Sequence, residues 1–251
     1  VSSPRSIRLT DRDWGLLAYL EEQGFATQDQ LSKEFFNSKV TCRLRLGKLG
    51  EHGYIERTTL PEALRIQRLN SKSAIFPHIL NLNVSRNTPL YYINRSYSKG
   101  FGKSRKLFKP NLVIHQLILN EVRSFLDKTL SPKWLLNDPR LALLSDIQYG
   151  RNREIIPDLS YEWDEHKVAI ELERTCKSAH RYSLKLHEFR DSIYSHVIYY
   201  YTRETILKSL IRRSERNRQV AFAHYKAPNE LYSPAFGVLT LNEFIEKRRD
   251  R

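Results

Sequence analysis

The stretch PDLSYEWDEHKVAIELERT, residues 157–175, decides how this chain is read. An acid follows a proline at Asp158. A strand pattern then sets Val168, Ile170 and Leu172 on one side and Ala169, Glu171 and Glu173 on the other. Two carboxylates one residue apart on a strand project the same way, about 7 Å apart. They gather in a chain of formal net charge +14. Such a pair is either the solvated side of an ordinary sheet or a ligand set for a cation. With Asp158 on the neighbouring strand beside them, three oxygen donors converge, the hard environment that Mg2+ or Mn2+ prefers. A metal there would activate water and offset the charge that develops in phosphodiester cleavage.

The surrounding pattern supplies a sheet. SAHRYSLKLHEFRDSI (178–193) reads as a helix with Tyr182, Leu186, Phe189 and Ile193 on its buried stripe. HVIYYYT (196–202) and QVAFAHY (219–225) are apolar runs of buried-strand length, separated by the helical ETILKSLIRRSER (204–216). FGVLTLNEFIEK (236–247) closes as a strand and a short helix. Upstream, NLVIHQLILNEVRSFLDKTL (111–130) is amphipathic, with Val113, Leu117 and Val122 beside Ile114, Ile118 and Phe125. Alternating helices and strands predict an α/β domain over 110–251, a mixed sheet flanked by helices.

The first 109 residues read differently. TDRDWGLLAYLEEQ (10–23) opens on a Thr-Asp cap, carries Trp14, Leu17 and Leu20 at helical spacing, and stops at Gly24. Thr27 caps a second helix, with Gln30 at the capping-box position. Ser38 caps KVTCRLRLGKLGEHG, where Val40, Leu44, Leu46 and Leu49 are apolar and Arg43, Arg45 and Lys48 are charged. Strand material follows at YIERTT and returns at Leu90–Ile93. Three short helices and then strands are the order of a winged helix-turn-helix. The helix over Lys39–His52 would enter the major groove, with Thr41, Arg43, Arg45 and Lys48 as contacts. Lys103, Arg105 and Lys106 would add contacts from the Gly-punctuated, aromatic-interleaved stretch at 88–109.

Charge supports that division. Residues 1–110 hold 19 Lys and Arg against 9 Asp and Glu, whereas residues 111–251 hold 23 against 19. A field this lopsided favours a polyanion such as double-stranded DNA. The basic residues are not laid along one amphipathic helix with an aromatic face, and no apolar run nears the ~18 residues of a membrane span. Cys42 and Cys176 are far apart with no CxxC partner, so they read as reduced thiols in a cytoplasmic protein. None of the eight histidines forms an HxH pair, and Tyr199–Tyr201 lie in an apolar run that reads as strand packing. A Walker-type phosphate loop is absent, which excludes that route to ATP chemistry.

PD at 157–158 followed by ELE at 171–173 on an apolar strand resembles the PD-(D/E)xK restriction-endonuclease-like superfamily, over about residues 110–251. The match departs at Glu173, where that motif has lysine. In that superfamily the lysine can migrate to the following helix, and Lys185 fits such a migration, with Lys177 second. His115 and Glu121 on the 111–130 helix are secondary candidates. The whole chain, helices first and IELERT later, is similar to the replication-relaxation family, which includes bacterial conjugative relaxases of the MOBC class. The resemblance implies Mg2+- or Mn2+-assisted nicking at a plasmid transfer origin, with accessory mobilization proteins as partners. It implies Asp158, Glu171 and Glu173 as metal ligands. The alternative is a non-catalytic DNA-binding replication or transcription regulator with a degenerate nuclease fold.

Overall fold

Side-chain caps start the first helices where the sequence places them. The computed structural model describes residues 7–59, 88–94, 113–135, 155–190, 192–214 and 217–247. The expected DNA contacts Lys103, Arg105 and Lys106 lie outside these residues. Thr10 accepts from the Asp13 N–H while the Asp13 carboxylate accepts from the Thr10 N–H, opening α1 (Asp11–Gln23). Thr27 and Gln30 exchange the same pair of bonds at α2 (Gln28–Phe35). Ser38 accepts from the Val40 N–H at 3.2 Å to open α3 (Lys39–Glu51). β1 (Ala26–Thr27), β2 (Ile55–Thr59) and β3 (Pro89–Ile93) form a three-stranded antiparallel sheet in the order β1-β3-β2.

These elements share a core of Leu16, Leu17, Leu20, Leu31, Cys42, Leu46, Leu49, Ile55 and Ile93. α3 buries Cys42, Leu46 and Leu49, which are spaced i, i+4 and i+7. Of the four apolar positions on this helix, Leu46 and Leu49 are buried while that spacing turns Val40 and Leu44 outward; Trp14 of α1 is exposed as well. α3 also carries Gly47 and Gly50, each costing roughly 1 kcal/mol against alanine in a helix interior. A Cβ at Gly47 would meet nothing within 4 Å, and one at Gly50 only the Ile55 carbonyl at 3.9 Å.

The chain divides into two compact units, 1–124 and 125–251, within α4 (Val113–Leu130). Sequence pattern set α4 at the head of the second domain. Its polar side chains explain why most of it joins the first unit. Asn120 donates to the Phe25 carbonyl, Gln30 donates to the Leu117 carbonyl at 2.9 Å, and Arg123 pairs with Glu22.

The second unit is mixed α/β. Its sheet contains β4 (Lys133–Leu135), β5 (Leu159–Trp163), β6 (His166–Glu173), β7 (His196–Tyr201), β8 (Val220–His224), β9 (Glu230–Ser233) and β10 (Gly237–Thr240). The order is β10-β9-β8-β7-β6-β5-β4. β6, β7 and β8 run parallel because α5 (Ala179–Arg190) and α6 (Glu204–Ile211) cross between them; the other pairs are antiparallel. A two-residue turn, Asp164–Glu165, joins β5 to β6, with φ of 47° and 66°. Positive φ at both positions is the habit of a type I′ hairpin turn, which matches strand twist and locks the register. Here it pairs Trp163 with His166 and Leu159 with Ile170.

One sheet face carries Ala169, Val197, Tyr199 and Phe222 against Tyr182, Leu186 and Phe189 of α5 and Ile206 and Leu210 of α6. Ile193 was expected to continue the α5 stripe; the helix ends at Arg190 and Ile193 is exposed. On the opposite face Phe244 of α7 (Leu241–Glu246) packs edge-on against the His196 ring at 5.1 Å. No helix among the described residues is long and apolar enough to cross a membrane.

Candidate active site

Glu171 and Glu173 are each 1% exposed, so they are not the solvated side of the sheet. They share a face with Ala169, and the aromatic side chains of α5 and β7 cover that face. Burying an unpaired carboxylate would be prohibitive. Each therefore has a lysine: Lys185 of α5 donates from Nζ to Glu171 Oε2, and Lys177, in the segment before α5, donates from Nζ to Glu173 Oε1. Asp158 stands just before β5, half-buried, and its Oδ2 accepts from the Leu172 N–H at 2.8 Å. That bond ties the PD element to the middle of ELE.

The electrostatics are unbalanced. Burial, joined by the Asp158 charge, pushes the Glu171 carboxyl up to about 8 against the pull of Lys185. Burial raises Glu173 as well, with Lys177 opposing. Burial alone would weaken the Lys185 cation, but Glu171, Asp158 and Glu173 together outweigh it and hold its pKa above the ordinary lysine value. Lys185 thus sits at the electrical centre of all three acids. One oxygen, Glu171 Oε1, is buried with no hydrogen-bond partner among the described residues, and the hydroxyl of Tyr199 is in the same condition. Tyr199 lies beside Glu171 on the adjacent parallel strand.

An orphaned buried carboxylate oxygen next to a second carboxylate fits a hard cation, because oxygen donors and a local excess of negative charge are what it selects. The expected triad of ligands is not formed, however. No group of three His, Cys, Asp or Glu side chains among the described residues is placed to hold a metal. Both glutamates are engaged by a lysine, and only Glu171 keeps a buried oxygen without a partner among the described residues. The donor set that fits is Asp158 with Glu171.

The sequence model of the replication-relaxation family matches residues 17–206, a span that runs through both units and includes Asp158, Glu171, Glu173, Lys177 and Lys185. The chain belongs to the replication-relaxation family. Searches of curated proteins and of solved structures returned no match. Family membership points to a DNA-related role in replication or relaxation.

Within this family member other residues flank the acids that sequence pattern did not single out. Register sets Glu173, Tyr201 and His224 side by side on three parallel strands. The His224 ring lies 5.4 Å from that of Tyr201; burial and the Lys226 charge keep it below the ordinary histidine range. The Lys226 N–H donates to His224 Nδ1, leaving Nε2 to carry the proton. Arg174 follows Glu173 directly, half-buried, with burial lowering its basicity. The signal for these was the shared end of three predicted strands, which becomes a location only once strand order is known. Tyr199 and Tyr200 are core residues, as the apolar run implied.

The remaining candidates separate. Glu121 is bound by Gln30 at 3.0 Å and Lys33 at 3.4 Å in the first unit, and His115 is half-buried on the same helix. Thr41, Arg43 and Lys48 are exposed on α3. Arg45 is not: its guanidinium donates from Nε to Asp13 Oδ1 at 2.8 Å and from Nη2 to Asp13 Oδ2 and the Arg8 carbonyl. Arg45, expected as a DNA contact, is instead part of the scaffold that holds α3 to α1.

Proposed function

We propose that the protein is a divalent-metal-dependent DNA nicking endonuclease, acting as a relaxase at a plasmid transfer origin. In this reading the first unit is a winged helix-turn-helix that positions double-stranded DNA, and the second is a PD-(D/E)xK-like nuclease. The observation that carries it is Glu171, a buried carboxylate with one oxygen unpartnered, beside Asp158 and in contact with Lys185. Asp158 and Glu171 would hold Mg2+ or Mn2+, which when bound supplies Lewis acidity and positive charge at a phosphate. Lys185, held as a cation among three acids, is the group suited to offset charge growing on a phosphate oxygen. Glu173 keeps the Lys177 ammonium at the strand position where the superfamily motif has lysine. Exposed Arg43, Lys48 and Thr41 would bind phosphates and base edges.

The test is conversion of supercoiled plasmid carrying the chain's own transfer origin to open circle by purified protein. Nicking is expected with Mg2+ or Mn2+ and not with EDTA. Plasmid left intact under every metal, by protein that still binds it, would sink the nuclease reading and leave a DNA-binding regulator on a degenerate nuclease fold. Glu173 at the lysine position, with no three-ligand group formed among the described residues, is what favours that second reading.

A further inference from the structure

α3 presents an outward ridge that the fold does not use. At 3.6 residues per turn, Cys42, Leu46 and Leu49 mark its inner side, and directly opposite run Val40, Leu44, Gly47 and Glu51. Val40 is 58% exposed and Leu44 60%. Arg43 flanks the ridge on one side, Thr41 and Lys48 on the other, all exposed. Gly47 continues it as bare backbone. A side chain there would meet nothing within 4 Å, and alanine would favour the helix, so neither packing nor backbone geometry asks for glycine. The bare backbone does leave room for close approach by another molecule.

The chemistry of the ridge and its borders identifies that molecule. Two apolar side chains and a glycine offer far less than the roughly 800 Å² per partner of a stable protein interface. Their borders are basic, in a half of the chain that holds 19 Lys and Arg against 9 Asp and Glu. The apolar group displayed on base edges in the major groove is the C5-methyl of thymine. Glu51, the acid on the ridge, stands about 16 Å from Val40 along the axis, beyond the first turns that reach base edges when such a helix docks.

We infer that Val40 and Leu44 read thymine methyl groups in the major groove of double-stranded DNA, with Gly47 letting α3 seat close to the groove floor. This rests on the DNA-binding reading of the first unit and adds what that unit discriminates. Arg43, Thr41 and Lys48 fix the helix on the duplex, and the apolar ridge adds a preference for thymine to whatever base edges they contact.

The experiment uses the full chain in EDTA, so that no strand is cut. Duplexes are selected from a random-sequence pool and then remade with each dT replaced in turn by dU. At the contacted positions, loss of one methyl should weaken wild-type binding about fourfold. Val40→Ala/Leu44→Ala should bind the selected duplex more weakly and no longer distinguish dT from dU, the coupling a double-mutant cycle detects. Gly47→Ala should melt at a higher temperature than wild type yet bind about tenfold more weakly. Equal wild-type affinity for dT and dU duplexes overturns the inference, as does normal binding by Gly47→Ala. A change in the free protein's mass by light scattering on Val40→Ala/Leu44→Ala, with DNA affinity unchanged, overturns it in favour of a protein-contacting face. Failure to retain any duplex is a separate result: the DNA-binding reading falls first, and this inference with it.

Discussion

Arg45–Asp13 in the first unit and Lys185–Glu171 in the second are both buried ion pairs, and the two are solved in opposite ways. In the first, Asp13 receives two bonds from Arg45 and two from Thr10, so both carboxylate oxygens are occupied. Burial opposes its ionisation, but those bonds and the Arg45 charge prevail and hold its pKa down to about 2. In the second, Glu171 receives one lysine, keeps Oε1 unpartnered, and is pushed up to about 8. A buried charge whose two oxygens are both answered holds a fold together. One left half-answered, beside a second carboxylate, is the feature on which the proposed site rests.

The sharpest way to break that contrast is to remove the poised acid. On the proposed function, in which the basic first unit supplies the binding energy, Glu171→Gln or Asp158→Ala should abolish cleavage while leaving DNA affinity nearly intact. Plasmid nicking alongside gel retardation reads both, and a variant cutting at the wild-type rate ends the site assignment. Next comes the satisfied pair. Arg45→Ala strands a buried Asp13 and should destabilise the first unit by roughly 3–5 kcal/mol in denaturant unfolding. Lys185→Ala should cost less stability, because Glu171 can take up a proton instead of standing charged. Its effect belongs to catalysis: cleavage about 10²-fold slower, with metal and DNA binding little changed, and Lys177→Ala affected less. If both lysine variants cut normally, no lysine is needed and Glu173 acts on the metal.

Smaller effects sharpen the comparison from outside the pairs. Neutralising Arg43 and Lys48 should leave stability unchanged and flatten the salt dependence of DNA binding. The log–log slope should fall by about 0.9 for each phosphate that the variant no longer neutralises. An unchanged slope would take α3 off the DNA. The smallest is a pH effect of opposite sign in the two units. Between the ordinary 3.8 of Asp13 and its folded value of about 2, the unfolded chain binds a proton that the folded chain does not. That contribution is therefore present above 3.8 and is lost as pH falls through the window. Glu171 reverses this: the folded chain keeps its proton between 4.5 and about 8, so that contribution declines as pH rises. Hydrogen exchange of α1 and α3 against β6 across pH separates the two slopes.

Much of the candidate site was legible in the sequence. Period-two alternation placed Glu171 and Glu173 on one face, and the Tyr182–Leu186–Phe189 stripe placed Lys185 at its edge. Three things were not legible. The acids' burial depends on which helices cover the face, a matter of crossovers between distant strands rather than of β6. Arg45 reads like Arg43 along a helix, and its different fate depends on Asp13, 32 residues earlier. The ion pair Lys177–Glu173 was also hidden, and it is what turns an expected third ligand into a lysine holder.

The tight turn at Asp164–Glu165 has a consequence for the arithmetic of the chain. Asp158 belongs to one arm of that hairpin and Glu171 to the other, and the ladder between them pairs residues whose numbers sum to a constant. Side chains alternate face at every step, so a slip of one residue would carry the acids to the α7 side, whereas a whole added rung would leave them where they are. The separation between the aspartate and the first glutamate is therefore a parity as much as a distance. A chain that lengthens this hairpin without a bulge keeps the acids together only by adding residues two at a time.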